Sequence, residues 1–124
     1  MESKKILLVE DSRIIQLLIQ TVLCDYGYEL KFVSNGQEAL AELKKQKPDL
    51  LILDIMMPVM DGFVLLDKLE KPFTFPVLIV SARADYESIG KAMELGASDY
   101  LIKPFNSTNL INKVEGLLVH KKNI

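Results

Sequence analysis

Five short apolar runs recur along this chain, at Lys5–Glu10, Glu29–Val33, Asp49–Leu53, Pro76–Ser81 and Asp99–Ile102. Each is rich in Ile, Leu and Val and reads as a nearly continuous block. A strand with one wet face alternates apolar and polar residues, whereas a strand covered on both faces does not. The runs therefore predict a parallel sheet buried on both sides. Between them lie stretches with helical spacing. Ile14, Leu17, Leu18, Thr21 and Val22 mark one face of the first, and Gly36, Ala39, Leu40 and Leu43 one face of the second. Leu110, Val114, Leu117 and Leu118 mark the last.

Start and stop signals agree with this division. Ser34 stands three residues before Gln37 in the manner of a capping box, Ser12 or Asp11 caps the first helix, and Asp61, Asp85 and Ser107 are candidate N-caps. Gly27, Pro48, Pro72 and Gly96 close elements. Glu70–Phe75 is the least regular segment and predicts a short third helix followed by a loop. Fraying is expected in the tail His120–Ile124. The result is five βα units. Helices that return the chain to the same edge make the strands parallel, which defines a three-layer α/β sandwich.

Composition removes other classes. With 15 Lys+Arg against 17 Asp+Glu the net charge is −2, too low in basic residues for nucleic-acid binding through a bulk field. No run approaches the ~20 apolar residues of a membrane span. The basic start MESKK is followed by only four apolar residues, fewer than the roughly 7–15 of a secretory h-region, so the expected location is the cytoplasm. Cys24 is the single cysteine, which excludes an intrachain disulfide, and its apolar helical setting predicts plain packing.

The polar residues fall at strand ends. Glu10 and Asp11 end the first run, Asp54 the third, Ser81 the fourth and Lys103 the fifth. In a parallel sheet these ends share one edge, and open α/β sheets bind ligands there, where the strand order reverses. Carboxylates grouped this closely raise one another's pKa unless a cation compensates. Mg²⁺, which takes one or two carboxylates and keeps open positions for water and phosphate, fits this set. Lys103 and Ser81 suit phosphoryl oxygens, and Asp54 suits nucleophilic attack on phosphorus to give an acyl phosphate.

The strings ILLVEDS, LLILDIMMPVMDG, VLIVSA and ASDYLIKPF, in that order, resemble those of response regulator receiver domains, the CheY-like phosphoacceptor modules of two-component signalling. The resemblance runs from Lys4 to about Val119. It implies a doubly wound, flavodoxin-like five-stranded sheet of order 2-1-3-4-5. It also implies that Asp54 is the phosphorylation site, with Mg²⁺ held by Asp11, Asp54 and the Met56 backbone carbonyl and, through water, by Glu10. Ser81 and Lys103 would bind the phosphoryl oxygens, Tyr100 would be the aromatic switch residue, and the Lys103–Pro104 bond would be cis. Glu10 and Ser81 stand where Asp and Thr are commoner. Met56 and Arg83 occupy the variable positions that tune phosphoryl lifetime.

The implied partners are a sensor histidine kinase or a histidine phosphotransfer protein, and a downstream protein or second copy docking on the face of the fourth helix, fifth strand and fifth helix. That face carries Lys91, Glu94 and Asp99, and the last helix has no arginine. The resemblance implies a phosphoacceptor that promotes its own phosphorylation and dephosphorylation, not a turnover enzyme on a separate substrate. A haloacid-dehalogenase-like phosphatase would need a second Asp two residues after Asp54, where Met56 stands. A nucleotide or flavin binder would need a glycine-rich loop after a strand, and none occurs. A receiver-like binding module that takes no phosphate is the remaining alternative. His120 is not a candidate phosphotransfer residue, and Lys44, Lys45 and Lys47 read as a solvated face. The expectation is one receiver domain over residues 1–124 with no output domain in this chain, either a stand-alone regulator or a piece of a longer one.

Overall fold

The computed structural model describes residues 3–122. Strands β1 (Lys5–Val9), β2 (Glu29–Val33), β3 (Leu50–Leu53), β4 (Val77–Ser81) and β5 (Asp99–Ile102) alternate with helices α1 (Arg13–Leu23), α2 (Gly36–Lys45), α3 (Gly62–Lys68), α4 (Tyr86–Glu94) and α5 (Ser107–Lys122). All strand pairs are parallel and the order is β2-β1-β3-β4-β5. Of the expected frayed tail, α5 continues to Lys122, and Asn123 and Ile124 lie outside the described residues. The His120 side chain lies outside them too.

Two cores flank the sheet, and the pleat sorts residues between them. Leu7, Val9, Leu51, Leu53, Val77 and Ile79 face the side covered by Ala39 and Leu43 of α2, Leu65 and Leu66 of α3 and Ala92 of α4. Ile6, Leu8, Leu50, Ile52, Leu78 and Val80 face Ile19 and Leu23 of α1 and Leu110, Val114 and Leu118 of α5. The three inner strands are buried on both faces, as their unbroken apolar runs predict. The outer strands are not: Glu29, Lys31 and Ile102 are exposed, because an edge strand has a neighbour on one side only.

The first helix corrects the sequence expectation. Its buried residues are Gln16, Ile19 and Leu23, with Ile15 and Val22 half-buried. Ile14 is 77% exposed, and Leu17, Leu18 and Thr21 also face solvent. This helix carries two apolar stripes, and only the Ile15–Ile19–Val22–Leu23 stripe meets the sheet. Cys24, expected to pack, is exposed instead, in the short 3₁₀ turn Cys24–Tyr26. Two caps also shift by one residue. Asn35, not Ser34, accepts from the Glu38 N–H at 2.9 Å, and Glu38 returns the bond by accepting from the Ser34 N–H at 2.8 Å. At α5, Asn106 accepts from the Asn109 N–H at 2.8 Å, and Ser107 is the first helical residue. Ser12, Asp61 and Asp85 cap as expected.

Candidate functional site at the carboxyl edge of the sheet

Strand pairing assembles the site. Beyond the regular ladder, the Glu10 N–H donates to Val33, the Asp54 N–H to Val9 and the Lys103 N–H to Ser81. These bonds carry the sheet one residue further at β1, β3 and β5, so the chemistry-bearing side chains start from fixed backbone. The switch point lies between β1 and β3, where the chain leaves β2 and crosses over β1. Glu10, Asp11 and Asp54 meet there, with one carboxylate oxygen of each within 4.8 Å of the others.

Asp54 is only 4% exposed. Its Oδ1 accepts from the Met56 N–H at 3.1 Å, and Lys103 Nζ lies 3.4 Å from its Oδ2. Glu10 is 1% exposed. It accepts from Lys103 Nζ at 2.8 Å and from the Ser12 N–H at 3.0 Å. Lys103 therefore bridges two buried carboxylates. Burial nevertheless pushes both carboxyls above the usual carboxylate range, and the Lys103 charge and the local N–H donors only partly offset it. The repulsion expected from the sequence is present, from Asp54 on Glu10 and from Asp11 on Asp54, but it is smaller than the burial effect. The two buried carboxylates and the exposed Asp11 form a set of hard oxygen donors that suits a divalent ion, with Lys103 as the cation beside them.

The neighbouring residues set the rim. Ser81 is fully buried at the end of β4, and its Oγ accepts from the Arg83 N–H at 3.2 Å. Tyr100 on β5 is half-buried, and its hydroxyl donates to the Arg83 carbonyl at 2.7 Å. Burial raises the Tyr100 pKa, with a smaller opposing effect from Ser81. Both residues thus report on the same β4–α4 loop. Met56 and Arg83 are exposed and line one open cleft with Ile55, Met57, Asp61 and Phe63. The Lys103–Pro104 bond is cis, as is Lys71–Pro72. Asp61 and Gly62 shape the site from behind. A Cβ on Gly62 would sit 2.7 Å from the Asp54 carbonyl oxygen, so only glycine lets α3 start this close to β3.

One site neighbour escaped the sequence reading. Gln16 is buried on α1, and its Nε2 donates to the Glu10 carbonyl at 2.6 Å. The available signal was a lone amide on the Ile15–Ile19–Val22–Leu23 stripe. Asp99 pairs with Lys113 at 2.9 Å, and Lys91 lies 4.6 Å from the Phe63 ring centroid. Two of the charges expected on the fourth-helix face are therefore engaged within the chain. Lys44, Lys45 and Lys47 are exposed. Among the described residues, no helix is long and apolar enough to cross a membrane.

Fold and site together define an open, doubly wound α/β domain with an acidic, lysine-bridged crevice at its switch point. The model of the response regulator receiver domain matches residues 6–115, and the chain belongs to that family. It is 39% identical over 116 residues to the transcriptional regulatory protein PcoR of Escherichia coli, covering 93% of this chain and 51% of the relative. It is 37% identical over 117 residues to the alkaline phosphatase synthesis transcriptional regulatory protein PhoP of Bacillus subtilis, covering 94% and 49%. The chain thus spans about half the length of these relatives. Among solved structures, it superposes on a CheY-like receiver domain protein from Methanospirillum hungatei with a TM-score of 0.92, at 28% identity and 98% coverage of both chains. For the chemotaxis protein CheY4 of Vibrio cholerae the TM-score is 0.86 at 32% identity, covering 94% of this chain and all of that one.

Proposed function

We propose that the chain accepts a phosphoryl group on Asp54 from a phosphohistidine of a sensor kinase or phosphotransfer protein. The observation that carries this reading is the Asp54 carboxylate. It is buried, oriented by the Met56 N–H and 3.4 Å from Lys103, and it clusters with the carboxylates of Glu10 and Asp11. An Asp54 oxygen forms the new bond to phosphorus as the phosphorus–nitrogen bond of the donor breaks, and the imidazole leaves with the electron pair and takes up a proton. Asp11, Asp54 and the Met56 carbonyl would hold Mg²⁺, with Glu10 reaching it through water. The ion supplies charge neutralisation that three carboxylates facing a phosphoryl group otherwise lack.

Lys103 and Ser81 are assigned to the phosphoryl oxygens. Lys103 would exchange part of its hold on Glu10 and Asp54 for the new anion, and Ser81 would turn its hydroxyl from the Arg83 N–H. Because Ser81 and Tyr100 both bond the Arg83 backbone, such a turn shifts the β4–α4 loop. The output is then read on the face of α4, β5 and α5, by a protein partner or a second copy. Backbone NMR shifts on phosphorylation should extend into α4 and β5, and shifts confined to the loops around Asp54 would count against this. Nucleic-acid contact is not assigned to this chain, and the reading places it in the cytoplasm. It acts as a phosphoacceptor that assists its own modification, not as an enzyme turning over a separate substrate. Incubation with acetyl phosphate and Mg²⁺ tests it. Intact mass should show one added phosphoryl group, absent in Asp54→Asn. No modification at saturating donor and Mg²⁺ would favour a binding module that works without phosphate.

A further inference from the structure

We propose that Gln16 is a positioning residue of the metal site, holding the Glu10–Asp11 turn through the Glu10 carbonyl. The inference rests on the phosphoacceptor reading above. Gln16 is 5% exposed and lies on the α1 stripe that meets the sheet. An apolar residue there would complete the packing face. A buried amide is instead unfavourable unless both its ends are bonded. Both are. Arg13 Nη1 donates to Gln16 Oε1 at 3.2 Å, which fixes the amide so that its NH₂ faces β1. Nε2 then donates to the Glu10 carbonyl at 2.6 Å.

Glu10 is the last residue bonded to the sheet before the chain turns. Its N–H donates to Val33, and its carboxylate accepts from Ser12 and Lys103. The Gln16 amide completes its bonding at the carbonyl. Asp11, the next residue, is exposed, and among the described residues no hydrogen bond or ion pair holds its carboxylate. Where Asp11 points is therefore set by the backbone beneath it, which Gln16 and the Ser12 N–H pin from two sides. Partners one step removed from a ligand typically change metal affinity 10–100-fold when lost.

The test uses the full chain with Mg²⁺ alone as the probe. Gln16→Met keeps the length and removes the donor, while Gln16→Asn keeps the amide and shortens its reach. Titration calorimetry should show Mg²⁺ binding weakened about tenfold in both. The Mg²⁺ concentration giving half-maximal phosphorylation from acetyl phosphate should rise by the same factor, and the rate at saturating Mg²⁺ should stay within about twofold of wild type. Val114→Ala, a core truncation on α5, controls for loss of stability and should leave Mg²⁺ affinity unchanged. Wild-type affinity in both Gln16 variants, or equal weakening in Val114→Ala, would overturn the positioning role and leave the phosphoacceptor reading intact. A wild-type chain that neither binds Mg²⁺ nor takes a phosphoryl group would overturn both.

Discussion

Burial holds the Asp54 and Glu10 carboxyls above their ordinary range, and Lys103 and the nearby N–H groups pull the other way without cancelling it. A raised acid favours the folded state while it is protonated. That contribution is present below the unfolded pKa and is lost as pH rises through the folded one. At neutral pH the charged Asp54 therefore opposes folding. Asp54→Asn should raise the midpoint of thermal unfolding at pH 7 by about 3 °C, the shift that roughly 1 kcal/mol gives in a chain of this size. The gain should shrink toward zero as pH falls below the Asp54 titration, which melting curves across pH will check. Gly62 shows the opposite dependence on space. A methyl there meets the backbone of Asp54 and Ile55, so Gly62→Ala should cost about 2 kcal/mol in urea unfolding. Gly36→Ala should cost less than half of that, because the atoms in its way belong to the flexible Met60 side chain.

At the scale of elements, α1 shows why a helical pattern can be read on the wrong face. Ile14, Leu17, Leu18, Thr21 and Val22 fit the period, and so do Ile15, Ile19 and Leu23 with the same Val22 at their border. Only docking chooses between them, and the chosen stripe includes Gln16, which the pattern alone excludes. Ile19→Ala should cost about 3 kcal/mol in urea unfolding, and Ile14→Ser less than about 0.5 kcal/mol. The β3–α3 connection carries a strain that sequence periodicity does not register. Val59 has φ of 70°, a region β-branched residues disfavour, and the Met60 N–H donates to the Pro58 carbonyl at 2.7 Å across it, closing a γ-turn. Val59 is 81% exposed, so its side chain contributes little packing. Val59→Gly should stabilise the chain by roughly 0.5–1 kcal/mol in chemical unfolding.

For the molecule as a whole, stability and site chemistry are linked through the acidic crevice. A cation that binds only the folded state adds about 2.7 kcal/mol at a hundred times its Kd. Saturating Mg²⁺ should therefore raise the unfolding midpoint by several degrees, chelation should reverse it, and Asp11→Asn should abolish most of the difference. The net charge of −2 conceals this concentration of carboxylates at one edge of the sheet. The same edge explains how much was readable beforehand. Strand limits agree to within a residue, and Glu10, Asp54, Ser81 and Lys103 are legible because each closes one of the five strand runs. The exposed positions on the outer strands, the exposed Cys24 and the caps at Asn35 and Asn106 were less legible, since each depends on what lies beside the segment rather than within it.

The sequence by itself determined the alternation of strand and helix, the parallel sense of the sheet and the set of polar residues at its carboxyl edge. These follow from local apolar periodicity and chain connectivity, which are properties of single segments. Tertiary structure alone decided which stripe of α1 is buried, that Lys103 bridges Glu10 and Asp54, that Tyr100 and Ser81 share the Arg83 backbone, and that Gln16 supports the Glu10 turn. Those outcomes rest on contacts between residues as far apart as Glu10 and Lys103, and such contacts exist only once both faces of the sheet are covered.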